Sequence, residues 1–134
     1  MNTQDFNSIF PRGEKNEAYA KYFVGQSYLN MLSTKGITIG NVTFEPGCRN
    51  NWHIHHKGGQ ILLCTSGEDY YQEWGKPVQR LHPGDVVNIP PEVKHWHGAT
   101  SDSWFTHISV EVPAEGASNE WLEAVSDDYY TNLR

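Results

Sequence analysis

The sequence predicts an all-β fold, a barrel or sandwich of short antiparallel strands with a short C-terminal helix. Three observations carry that reading. Runs of four to eight β-branched or aromatic residues recur between turn residues from position 36 to position 112, the texture of a many-stranded sheet protein. The runs are broken at Glu45-Pro46-Gly47, Ser66-Gly67, Trp74-Gly75 and His82-Pro83-Gly84, where proline presets φ or glycine accepts a positive one. Past Pro113 the apolar period changes towards that of a helix.

Taken in order, residues 10–16 read as a loop carrying Pro11 and Gly13. Residues 22–32 read as a first strand interrupted by Gly25, a residue that weakens a strand interior. Further strands are expected at 37–44, 60–64, 68–72, 78–81, 85–89 and 105–110. Ser118 is placed as the cap of a helix in which Trp121, Leu122, Val125 and Tyr129 recur at helical spacing, with Glu120, Glu123 and Asp127 towards water. That helix would lay one stripe on the outer wall of the barrel, and Ser126-Asp127-Asp128 would restart a last short turn.

The chain has 134 residues, 37% of them apolar and 19% charged, enough to build one core of its own. We divide it into an N-terminal tail, 1–16, and a single domain, 17–134. Lys+Arg 10 against Asp+Glu 16 gives a net charge of −6 with no basic stripe, so nucleic acid is not an expected partner. No apolar run approaches the roughly 20 residues that span a bilayer, and the first five residues lack the start of a signal peptide. No membrane partner is expected, and the cytoplasm is the expected location. Cys48 and Cys64 are too few for a disulfide scaffold and form no C-x-x-C pair; both read as reduced thiols of small apolar character.

The seven histidines, at 53, 55, 56, 82, 95, 97 and 107, all fall in the strand-rich region. On a strand, residues i and i+2 share a face about 6.5–7 Å apart, so His53 and His55 can aim at one ion about 2.0–2.1 Å from each nitrogen. His56 then points elsewhere, and His82 sits in a turn. Gln60 opens the next run on the parity of Leu62 and Cys64 and offers a neutral amide oxygen. His95 and His97 flank Trp96; spacing alone does not choose between them. Phe105, His107, Ser109 and Glu111 share one parity, so His107 reaches the same interior. Trp52, Trp96 and Trp104 read first as filling between sheets.

These residues resemble a cupin. Gly47, His53-Ile54-His55, Gln60 and Gly67 reproduce the family's first motif over residues 47–67, with Gln where most members have Glu. Gly84, Pro90 and His95 follow the second, over 84–99, with Glu92 in place of the usual Gly and Ala99 in place of Asn. The likeness is nearer to the small manganese-dependent cupins with hydroxynitrile lyase activity, through Val42-Thr43-Phe44-Glu45-Pro46-Gly47, Trp52-His53, His82-Pro83-Gly84-Asp85, Lys94-His95-Trp96-His97-Gly98 and Thr106-His107. Asn50, Asn51 and Glu111 depart from that subgroup and bear on the substrate.

The resemblance implies a cupin jelly-roll β-barrel that pairs as a homodimer or higher homo-oligomer, with residues 22–32 as the edge element. It implies metal ligands His53, His55, Gln60 and His95, choosing His95 over His97. It also implies His107 as the acid/base beside the open coordination positions. The cofactor is a divalent metal ion, manganese by resemblance, with iron, zinc or nickel also able to occupy such ligands. Three imidazoles and an amide leave the ion's charge uncompensated, which makes it a strong Lewis acid. The expected function is Lewis-acid and histidine acid/base chemistry on a small carbonyl or hydroxy compound, of carbon–carbon lyase type. The rival classes are an iron-dependent dioxygenase, told apart by oxygen uptake, and a non-catalytic binding module, which yields no product.

Overall fold

The computed structural model describes residues 8–133, so the first seven residues of the expected tail lie outside the described residues. Thirteen short strands, a 3-10 turn at Ala20–Tyr22 and one α-helix lie among the described residues; the strands and the α-helix are, in order, β1 (Glu14–Lys15), β2 (Phe23–Val24), β3 (Ser27–Ser33), β4 (Ile39–Phe44), β5 (Arg49–Asn50), β6 (His53–His56), β7 (Gln60–Gly67), β8 (Asp69–Glu73), β9 (Gln79–Leu81), β10 (Val86–Ile89), β11 (His95–Ala99), β12 (Phe105–Glu111), β13 (Ser118–Trp121) and α1 (Asp127–Thr131). Every pairing among the described residues is antiparallel.

Two sheets face each other as a jelly roll. The first runs β1-β3-β4-β12-β7-β10. In the second, β11 is bordered on one side by β8 and then β9. On its other side β5 and β6 lie end to end, edged by β2 and β13. Among the described residues no ladder joins the two sheets, so the expected barrel is a two-layer can rather than a closed cylinder. Phe44, Leu62, Cys64, Tyr71, Ile89 and Phe105 fill the space between the layers. Both cysteines are free and buried there; burial pushes the Cys64 thiol up to about 12, which keeps it protonated and inert.

The expected first strand is two strands in different sheets. Gly25, at φ 89°, carries the chain from β2 in the second sheet to β3 in the first, a conformation that costs glycine nothing. β3 lies between β1 and β4 rather than at an open edge, although β1 covers it only at Tyr28 and Leu29.

The helix expected from Ser118 is not there. Ser118–Trp121 pairs with β6 instead, Asn119 opposite His55 and Trp121 opposite His53. The exposed edge of β6 offers backbone partners, and Trp121 stacks on Tyr22 at 4.5 Å; together these override a local helical spacing. The helix is confined to Asp127–Thr131, where the Ser126 hydroxyl accepts from the Tyr129 amide.

Val125 and Tyr130 of this tail cover Trp52, Tyr70 and Trp96 on the outer face of the second sheet. Arg49 locks them down, donating to the Val125 carbonyl and to Asp127 while lying 4.3 Å over the Tyr130 ring. Trp52 and Trp96 therefore fill a second core behind the sheet, not between the sheets.

Candidate metal centre

β6 and β11 are antiparallel neighbours with His53 opposite His95, so two histidines of one strand and one of the next meet on the inner face. Ligand-capable atoms of His53, His55 and His95 all lie within 4.8 Å of one another, and all three residues are buried. The His53 and His95 rings are 4.1 Å apart, and each is 5.1 Å from His55.

Each ring uses Nδ1 for a fixed hydrogen bond. His53 donates to the Asn51 carbonyl at 2.8 Å, His95 to the Val93 carbonyl at 2.9 Å, and His55 to the Asn119 side-chain oxygen at 2.7 Å. A proton held at Nδ1 leaves Nε2 with a lone pair, the tautomer that metal-ligating histidines adopt. The Nε2 atoms of His55 and His95 are buried without a hydrogen-bond partner, which is costly unless something occupies them. Burial and the neighbouring imidazoles hold His53 well below its ordinary value. Burial takes His95 down to about 4. Three converging ring nitrogens, two of them buried without a partner, fit a divalent cation.

His53 and His55 border a cavity of about 190 Å³ between the sheets, lined also by Phe44, Asn50, Gln60, His97, His107, Ser109, Glu111 and Trp121; His95 stands behind them, outside its lining. The volume is comparable to the ~150 Å³ cavity that takes up benzene, room for one small molecule. Gln60 stands on its wall, its amide nitrogen donating to Ser109 at 2.7 Å and to Glu111 at 3.2 Å. His107, on β12, is fully enclosed, its ring 5.2 Å from Phe105 and 5.5 Å from Phe44. Its Nδ1 has no partner, and burial lowers its pKa to about 3. It is therefore a neutral imidazole with a free ring nitrogen, kept so by burial.

His97 does not join the trio. It packs 4.9 Å from His107, with Nδ1 3.5 Å from the buried Asp69 carboxylate. Burial raises Asp69 well above the ordinary carboxyl range. The other two histidines lie outside. His82 sits in its exposed turn, and His56 bridges Glu92 at 2.6 Å and Glu120 at 2.7 Å on the surface.

Two residues of the site were not expected from the sequence: Asn119, which orients His55, and Trp121, which lines the cavity and stacks 4.6 Å from the His53 ring. Both come from β13. The signal that could have found them is the polar pair Ser118-Asn119 ahead of an aromatic, which suits a half-buried edge strand as well as a helix start.

A two-sheet jelly roll that brings three histidines of two inner strands together is a fold able to hold a metal ion. The family profile described as a cupin domain matches residues 40–111, and the chain belongs to the cupin family. It is 43% identical over 90 residues to the (R)-mandelonitrile lyase of Granulicella tundricola, covering 67% of this chain and 68% of that one. A cupin-like protein of Thermotoga maritima superposes with a TM-score of 0.85 at 42% identity, over 92% of this chain and 95% of its own. The oxalate decarboxylase of Bacillus subtilis, described for its Mn(II) centres, shares the fold with a TM-score of 0.59 at 19% identity; 73% of this chain matches 28% of that one.

Proposed function

We propose that this cupin is a metal-dependent carbon–carbon lyase acting on a small hydroxy or carbonyl compound, in the manner of a hydroxynitrile lyase. The observation that carries the reading is the juxtaposition of His53, His55 and His95, each with Nδ1 engaged, and a neutral His107 on the wall of the adjoining cavity. The relative named (R)-mandelonitrile lyase supports the reaction class.

In this reading His53, His55, Gln60 and His95 hold the ion, with manganese the proposed metal. A divalent ion held by neutral ligands supplies Lewis acidity towards a carbonyl or alkoxide oxygen. His107 does the proton work. Its free ring nitrogen takes the hydroxyl proton of the substrate as the adjacent carbon–carbon bond opens. The electron pair of that bond leaves with the departing carbanion, such as cyanide, and the hydroxyl carbon becomes a carbonyl. The proton on His107 then passes to the departing group, which returns the imidazole to its starting state. Phe44, Val42 and Trp121 line the cavity and keep water from the opened bond.

The test is turnover of small cyanohydrins by protein reconstituted with Mn²⁺ and, separately, with Fe²⁺ and Zn²⁺. His107→Gln is expected to lose at least about a hundredfold in kcat, the scale of a general acid–base contribution, while binding metal as the native protein does. Unchanged turnover in that variant would remove His107 from the chemistry. Oxygen consumption coupled to substrate loss would replace the lyase by a dioxygenase.

A further inference from the structure

Glu111 ends β12 directly opposite Gln60, the first residue of β7, so the two side chains are cross-strand neighbours with Cβ atoms about 5 Å apart. The Gln60 amide nitrogen donates to Glu111 Oε2 at 3.2 Å and to Ser109 Oγ at 2.7 Å. These two partners are not equivalent. A hydroxyl both donates and accepts, so Ser109 is satisfied by either branch of an amide, whereas an ionised carboxylate only accepts. Glu111 therefore selects the nitrogen branch, and the oxygen branch, on the other side of the same planar group, is turned away from β12. Glu111 is also the sole carboxylate among the residues lining the cavity, in a site whose other polar groups are neutral amides, hydroxyls and imidazoles.

We propose that Glu111 is a positioning residue for the metal centre: it fixes the Gln60 amide so that its oxygen is presented to His53, His55 and His95. It also returns to the site, one residue removed, the negative charge that a glutamate ligand would have brought. The inference rests on the metal-binding reading above and adds to it which residue decides that Gln60 can serve as a ligand.

The experiment is titration of the metal-free protein with Mn²⁺, read from the loss of the free-ion electron paramagnetic resonance signal. Glu111→Gln is close to isosteric but lets the amide turn either way, and its affinity is expected to fall roughly tenfold, the lower end for an outer-shell partner. Ser109→Ala, which leaves the carboxylate in place, is expected to change affinity by less than about threefold. Gln60→Glu sets two carboxylates against each other and weakens binding in the native background. In the double variant Q60E/E111Q the new glutamine donates to the new glutamate, and affinity recovers above that of either single variant. That recovery is a coupling between the two side chains read in metal affinity rather than in stability, and it reads the contact even where one single variant folds poorly. Native-like affinity in E111Q, or additive losses in the double variant, overturns the role of Glu111. Native protein that takes up no Mn²⁺, Fe²⁺ or Zn²⁺ overturns the metal centre itself.

Discussion

Asn119 contributes nothing to the cavity's chemistry directly, yet its side-chain oxygen sets which nitrogen of His55 carries the proton. Asn119→Ala removes that acceptor while keeping the ladder to β6, and the expected outcome is a roughly tenfold weaker Mn²⁺ affinity with native folding, checked by the same titration. Unchanged affinity would mean that ring packing alone fixes the tautomer. The histidines themselves were legible in the sequence, because i and i+2 on a strand share a face whatever the surroundings, and His53 and His55 need nothing more. The choice of His95 over His97 was not legible from spacing, since both point inward; it is made by position along β11. His95 lies opposite His53, and His97 lies two residues further, against Asp69 and His107. Asn119 was hidden for a different reason: its role depends on a pairing across 64 residues of chain.

Among the elements, the strands bounded by Pro-Gly or Ser-Gly turns were readable because their punctuation is local chemistry. Gly67 shows how strictly. It sits at φ 79°, and a methyl group there would run into the Trp104 carbonyl oxygen. Gly67→Ala is therefore expected to cost about 2 kcal/mol or more, from backbone strain and displacement of the β12 start together, measured as a lowered denaturant midpoint. A midpoint within a few tenths of native would show that the β7–β8 corner is looser than its geometry implies. β13 was misread because Trp121, Leu122, Val125 and Tyr129 serve two different cores. Trp121 turns to the cavity while Val125 faces the outer cluster, and their helical spacing is a coincidence of that division. Glu92, in place of a glycine, illustrates the reverse. It keeps the left-handed backbone at φ 68°, and its carboxylate accepts from the Lys57 amide at 2.8 Å and contacts His56, bracing the turn that a glycine would only permit.

For the molecule as a whole, the buried imidazoles make stability depend on pH. His95 and His107 have folded pKa values of about 4 and about 3 against 6.5 for an exposed histidine, and His53 and His97 are also held well below it. The unfolded chain thus binds more protons than the folded one between those values, so stability rises with pH in that window. The contribution is complete above about 6.5 and is lost as the pH falls towards 4, with a slope of about 1.4 kcal/mol per pH unit for each fully engaged histidine. Asp69, with its pKa raised, acts in the opposite sense, one carboxyl against four rings. Metal-free protein is expected to lose thermal stability steadily from pH 6.5 to pH 4.5, with a shallower loss in His107→Gln. A melting temperature that holds or rises on acidification would contradict the assigned neutral states.

We propose that His53, His55 and His95, with Gln60, clasp one divalent cation between the sheets. Elemental analysis of protein purified without added metal tests it most directly, with His53→Ala and His95→Ala variants alongside. The expected result is about one equivalent of a divalent transition metal, manganese foremost, in the native chain, and near-complete loss in both folded variants. Metal-free native protein that cannot be loaded, or variants that retain the native metal content, would contradict it.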